Sequence, residues 1–596
     1  MLATASAFAS AETPPPTAAP SADTSAGAPA ARRHASDTLR YKVVVVAPSE
    51  LKPLVENAVD LVRWQSYEDM TELLFDRLAR EAIEQAREAA AADGYFSANA
   101  EIAVDRTTDP ATVTLTIVPG TPTRIADVRV TVVGPAATDI PAGAEAIAEA
   151  RREWLLPEGD VFRQSQWTAA KAKAVTTIAA SRYAAAKLTS SEALIDPDAY
   201  KADLSVEIDS GPAFRFGPLE ITGLSKYDSD LVRNFSPIHE GDPYSAPELE
   251  QFVRRLNASG YFASVHATID PDPAHADSAP VRVSVIEGPT KKLEFGVGYS
   301  TDTEFRGNLS YSDVNVNDHG LQMYIDTRFE QKVQNASLRF VSRPDDHGWL
   351  NSYNALVERT DIENLVTKTV SVGARRQTVD EVNRWAYGVA YLIDQQMPQG
   401  AEETNARALF VDVTRTWRRT DDIIAPTRGY NVNAQLGAGV PGVSTRTFGR
   451  AILQFAAWYP VSRDIETSMR AELGAVIATE REGIPSSLLF RTGGDTTVRG
   501  YAFESLGVKS GDAIVPGRYL AVASVEATRW IGANWGIAAF VDAGNAVDEP
   551  SDLKHLALGY GLGLRLRTPI GPFRLDVAYG QDTGKVRIHF SVGLSF

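Results

Sequence analysis

The segment Gly493-Gly494-Asp495-Thr496-Thr497-Val498-Arg499-Gly500-Tyr501 sets one arginine in a glycine-rich turn. A guanidinium is a rigid fork of donors that can grip a carboxylate bidentately, and glycine lets a backbone approach a neighbouring wall closely. Two acceptors follow. Asp542 lies in Phe540-Val541-Asp542-Ala543-Gly544-Asn545, and Glu526 lies in Val522 to Trp530 as a weaker second candidate. If Trp535, Ile537, Ala539 and Val541 face an apolar medium, alternation turns Phe540, Asp542 and Gly544 inward, where Asp542 can receive Arg499. The chemistry expected is the pinning of a loop, not catalysis. The chain has no Gly-x-Ser-x-Gly elbow, phosphate loop or His-Glu-x-x-His. Its scattered histidines, among them His239, His319 and His589, show no ligand spacing. No enzyme activity, cofactor or metal is therefore expected.

A pinned loop needs a frame, and the sequence after Pro289 reads as strands. Leu293, Phe295, Val297 and Tyr299 alternate with Glu294, Gly296 and Gly298. Phe573, Leu575, Val577 and Tyr579 alternate with Arg574, Asp576 and Ala578. In the final run Val586, Ile588, Phe590, Val592, Leu594 and Phe596 share one face, with Arg587, His589, Ser591, Gly593 and Ser595 on the other. Charges recurring on one face suit a transmembrane barrel with a wet lumen, and roughly 300 residues at about 19 per strand and connection predict about 16 strands. Trp458, Tyr459, Trp530 and Trp535 suit interfacial girdles. Closing the barrel requires its first and last strands to pair. Gly296, Gly298 and Gly593, beside Leu293, Phe295 and Phe596, weaken that lateral seam, because glycine packs no side chain and costs backbone entropy.

Bulk properties agree with a multidomain envelope protein. A chain of 596 residues is too long for a single core. A net charge of -17 argues against nucleic acid as a partner. Absence of cysteine excludes disulfides and thiolate metal sites. No stretch reaches the roughly 20 apolar residues of a spanning helix, which leaves strands as the route across a membrane. Residues 1–39 read as a signal remnant, ending its small-residue pattern at Ala9-Ser10-Ala11, and a Pro/Ala-rich leader.

Between residues 40 and 289 one pattern occurs three times. Helical segments at Tyr67 to Ala91, Ser165 to Ser181 and Ala246 to Ser259 lead to the anchors Gly94-Tyr95-Phe96, Arg182-Tyr183-Ala184 and Gly260-Tyr261-Phe262. Each anchor is followed by two alternating strands and a Pro-Gly or Gly-Pro pair. Opening strands are expected at Tyr41 to Val46, Arg124 to Val133 and Phe214 to Thr222. The unit order is β-α-α-β-β, and the boundaries read as 40–121, 122–212 and 213–289, with the barrel at 290–596.

These units resemble POTRA domains. The Val-Arg-Gly-Tyr motif, the Phe540 to Asn545 segment, and Gly559-Tyr560-Gly561-Leu562-Gly563 with Pro569 to Asp576 resemble the outer-membrane assembly and two-partner-secretion transporter superfamily, most of all its TamA type. The resemblance covers nearly everything after residue 40. It implies an α+β periplasmic region before an all-β barrel in the bacterial outer membrane, and Arg499 pinned to Asp542. It further implies insertion or export of autotransporters and other barrels, alone or with membrane lipid as cargo, beside a TamB-like inner-membrane-anchored periplasmic partner. A two-partner-secretion transporter and a passive porin or receptor are the alternatives. A porin has no need of periplasmic modules or a loop anchor.

Overall fold

The computed structural model describes residues 39–592 except 317, 424, 463, 533, 569 and 570. The leader up to residue 38, Gly593 and Phe596 lie outside the described residues.

In the first domain, strand Ala111–Val118 takes the middle of a three-stranded sheet, parallel to Tyr41–Val46 and antiparallel to Asn99–Asp105. Helix Glu72–Ala92 buries Phe75, Leu78, Ala79, Ala82 and Ala86, one stripe at helical spacing, against Val113, Leu115 and Ile117 of that strand. The helix starts later than the sequence pattern suggests, because Thr71 caps it by accepting the Leu74 N–H at 3.3 Å. The short helices Lys52–Ala58 and Asp60–Arg63 supply the remaining helical layer.

The second domain repeats the plan. Its sheet order is Arg124–Val133, Lys201–Asp209, Lys187–Asp196, with helices Ala142–Arg152 and Gln164–Ala180. In the third, Ala279–Glu287 is central, parallel to Phe216–Thr222 and antiparallel to Phe262–Ile269. Helices Ser229–Asn234 and Ala246–Ala258 cover it around Phe252, Leu256 and the fully buried Tyr261. Each unit is thus a β-α-α-β-β POTRA fold.

From Lys291 a single antiparallel sheet of 16 strands runs in chain order from Lys291–Ser300 to Lys585–Val592, interrupted only by a two-stranded hairpin inside the loop 478–518. Its outer face is apolar: Phe295 and Val297 are 75% and 76% exposed, and Ile537, Val541, Val586 and Ile588 also point outward. In water such a band would be costly. In a bilayer it is the surface a barrel requires. Alternation places Asp542, Ser524, Arg565, Asp576 and His589 on the buried inner face.

Two of the aromatic residues expected in interfacial girdles point the other way. Trp458 shares the parity of Arg450, which donates to the Leu488 carbonyl of the inserted loop. Trp530 stacks beneath Arg567, 3.7 Å away, on the parity of Glu526 and Thr528. Both belong to the lumen, Trp458 by strand parity and Trp530 with its indole face against a guanidinium. Tyr459 and Trp535 face outward.

The third domain is seated on the turns at one end of the barrel. Tyr261 Oη donates to the Gly320 carbonyl at 2.6 Å, Gln322 Nε2 donates to the Ser259 carbonyl at 2.6 Å, and Arg343 pairs with Asp228 at 2.7 Å. Charged and buried bonds together fix this seat. The seam is different. Among the described residues no backbone ladder joins the first strand to the last, and the contacts across include Phe590 N–H donating to Thr301 Oγ1 at 3.3 Å.

Candidate functional site

Strand Trp535–Val547 fixes the site. Its inward residues Phe540 and Asp542 meet the tip of the loop 478–518, which enters the lumen between strands Ile465–Ile477 and Tyr519–Ile531. Arg499 donates from Nε and Nη2 to the two oxygens of Asp542, at 2.7 and 2.9 Å, and its backbone N–H donates to the same carboxylate at 3.0 Å. Nη1 reaches Glu526 at 2.7 Å and Asp576 at 3.2 Å. The guanidinium lies over the Phe540 ring, 3.4 Å from its centre. Ser524 Oγ donates to Asp542 at 2.7 Å.

One guanidinium cannot balance three carboxylates. Arg565 supplies the second cation, with bidentate bonds to Glu526 at 2.9 and 2.7 Å and a bond to Asp576 at 2.6 Å. The result is a closed network of two arginines and three acids in which all three acids accept from a cation. Buried charges require such pairing. Sequence reading had placed Arg499, Asp542 and Glu526. Arg565 and Asp576 stand on inward parities, and what assembles them is strand register, which sets Gly563 opposite Asp576.

Glycine shapes the wall that receives the loop. A Cβ on Gly559 would sit 1.9 Å from the Arg499 carbonyl oxygen, and one on Gly563 would sit 1.8 Å from Asp576 Oδ1. Gly500, at φ +95°, packs against Gly580 in a conformation that L side chains rarely adopt. Gly559→Ala is therefore expected to displace the loop tip while leaving every charge in place. In this cysteine-free chain, Val498→Cys, fully buried in the native site, reports the displacement. Its labelling by a membrane-impermeant maleimide should accelerate about tenfold or more, the factor that ~1.4 kcal/mol of strain produces. An unchanged rate would show that the close approach is not needed.

The rest of the loop is held as firmly. Tyr501 Oη donates to the Leu558 carbonyl at 3.2 Å, and Val498 and Tyr501 join Phe490, Leu488, Phe410 and Phe448 in a core inside the barrel. At the opposite wall Asp394, fully buried, accepts from Ser486 N at 2.8 Å, Ser486 Oγ at 3.0 Å and Thr369 Oγ1 at 2.6 Å. Nothing in the local sequence around Asp394 signals this second anchor, because its loop partner lies 92 residues away.

Of the other motif residues, Gly493 and Gly494 adopt φ +106° and +110°, and Asp495 donates its backbone N–H to Asp302 at 2.8 Å. Leu293, Phe295, Gly296 and Gly298 lie on the first strand at the seam. Gly296 is packed so that a Cβ would meet Asn308 Oδ1 at 2.4 Å, so this glycine makes room for a neighbouring side chain.

Comparison with known proteins agrees with this architecture. A family model described as the Omp85 superfamily domain matches residues 286–596. The POTRA models "Surface antigen variable number repeat" and "POTRA domain TamA domain 1" match 214–288 and 44–119. The outer membrane protein assembly factor BamA of Nitratidesulfovibrio vulgaris is 25% identical over 402 residues, 63% of this chain and 50% of that protein. BamA of Neisseria meningitidis serogroup B is 23% identical over 394 residues, 61% of this chain and 49% of that protein. The chain spans about half the length of these curated relatives. In fold it is similar to the crystal structure of BamA from Haemophilus ducreyi lacking POTRA domains 1-3, with a TM-score of 0.51 and 17% identity over 79% of this chain and all of that one. A barrel of this kind behind POTRA domains lies in the outer membrane, with those domains in the periplasm.

Proposed function

The chain belongs to the Omp85 superfamily, and from that premise we propose that it is a TamA-like assembly factor, inserting or exporting autotransporters and other barrel proteins through its lateral seam. The observation that carries this reading is the pairing of a pinned lumenal loop with a seam that no backbone ladder closes among the described residues. A hydrophobic core filling part of the lumen suits a scaffold better than a passive pore. Client strands would add to the free edge of Lys291–Ser300, exchanging backbone hydrogen bonds without leaving any unsatisfied in lipid. The work is done by hydrogen-bond exchange and needs no covalent chemistry.

Upstream, the POTRA sheets offer edge strands such as Phe262–Ile269, beside a cavity of about 570 Å³ that Leu249, Val253 and Ile269 help to line. An extended client segment can pair along such an edge. We take the partner to be a TamB-like periplasmic protein anchored in the inner membrane, with membrane lipid as a second cargo.

Depletion followed by an inventory of outer-membrane proteins tests the reading. Specific barrel proteins should fall, and a TamB-like protein should co-purify with the chain. Unchanged levels of every barrel would remove the assembly role.

A further inference from the structure

Away from the arginine network, three elements meet on one carboxylate at the seam. The turn between the first two barrel strands carries Asp302, which is buried. The loop brings Asp495, whose backbone N–H donates to Asp302 Oδ2 at 2.8 Å and whose carboxyl lies against that of Asp302. The last strand brings His589, 3% exposed, with Nδ1 3.7 Å from Asp302 Oδ1 and Nε2 accepting the Gly500 N–H at 2.9 Å. An imidazole that accepts at Nε2 carries its proton on Nδ1, here the nitrogen nearer Asp302.

Two carboxyls in contact away from water resist double ionisation and favour sharing one proton. Burial first, and the Asp302 charge second, push the Asp495 carboxyl up to about 6. Asp302 is held below the usual range: burial opposes this, but the nearby His589 imidazole and the donors of Asp495 outweigh it. The other charges near the pair are Arg306 of the second strand and Arg470 of strand Ile465–Ile477, which donates to the Thr496 carbonyl at 2.7 Å.

We propose that Asp302 and Asp495 are positioning residues that form a proton-linked latch on the seam, an inference that rests on the lateral-seam reading and deepens it. With the proton shared, the first hairpin is tied to the loop and, through His589, to the last strand. With the proton lost, two carboxylates face each other and the hairpin is released. The sign follows from linkage. Asp495 binds its proton more tightly latched than free, so latching is favoured below the ordinary carboxylate value of 3.8 and is lost as pH rises through about 6. That separation of about two pH units corresponds to at most about a hundredfold change in the open-to-closed ratio.

The test uses the full chain in lipid nanodiscs without client. Spin labels at Val297→Cys and Ile588→Cys, both lipid-facing on the first and last strands, report the seam width by pulsed electron resonance between pH 4.5 and 7.5. The open population of the otherwise wild-type protein should rise up to about a hundredfold with a midpoint near 6. Asp495→Asn, which keeps the hydrogen bond without the proton, should stay closed throughout, and Asp495→Glu should restore the titration. Should Asp495→Asn fail to fold, Asp495→Ser must likewise abolish the titration. A wild-type seam indifferent to pH, or a neutral variant that still titrates, overturns the latch. Because no client is present, failure of the assembly reading would show separately, in the protein inventory, and would leave this measurement intact.

Discussion

Arg499→Ala should leave a folded barrel that no longer supports client assembly. The substitution removes four side-chain hydrogen bonds, leaving Glu526 and Asp576 with Arg565 and leaving Asp542 with no cation bonded to it. Deleting one partner of a buried ion pair costs about 3–5 kcal/mol, much of it from the charges left behind. The barrel ladders themselves are untouched, so the cost falls on the loop, which should leave its dock. Arg499→Lys should recover little, since an ammonium on a flexible stem cannot bridge Asp542 and Glu526 together. Asp542→Ala should match Arg499→Ala, because it strips the acceptor from Nε, Nη2 and the backbone N–H at once. The check is heat-modifiable mobility of the variant, which should be retained, beside the abundance of client barrels, which should drop to the depleted level. Wild-type abundance in both alanine variants would remove the clamp from the mechanism.

A second large effect is expected from locking the seam. Phe590 N lies 3.3 Å from Thr301 Oγ1, which places these two positions within reach of a crosslink. The chain has no cysteine, so Thr301→Cys with Phe590→Cys introduces a single possible disulfide. Oxidised, this protein should insert no client. Reduced, it should recover, which separates loss of opening from loss of folding. The expectation follows from the sheet itself: an edge tethered covalently to the last strand cannot part from it to admit a client strand between the two. Undiminished insertion by the oxidised form would contradict lateral passage.

Much of this geometry is written in alternation. The parity of Trp535, Ile537 and Val541 was enough to aim Asp542 inward, and three repeated anchors around Tyr95, Tyr183 and Tyr261 were enough to divide the first half of the chain. Short helices were not legible. Lys52–Ala58, Asp60–Arg63 and Ser229–Asn234 span at most two turns and carry too little periodicity to separate from loops. Asp576 and His589 were visible as inward residues and Arg565 was not singled out, because its convergence with the others depends on ladder register, which no single strand encodes. Trp458 and Trp530 misled for a related reason. An aromatic near a strand end suits either the lipid interface or the lumen, and what decides is strand parity for Trp458 and the partner Arg567 for Trp530.

The seam carries the central claim, and a photo-reactive benzoylphenylalanine at Phe295, 75% exposed on the first strand, tests it during client synthesis in living cells. The same probe at Val372, which also faces outward on strand Leu365–Thr378 far along the sheet, serves as the reference. Lateral passage predicts client adducts at Phe295 and none at Val372. Client adducts at both positions alike, or at neither while clients still assemble, would contradict it.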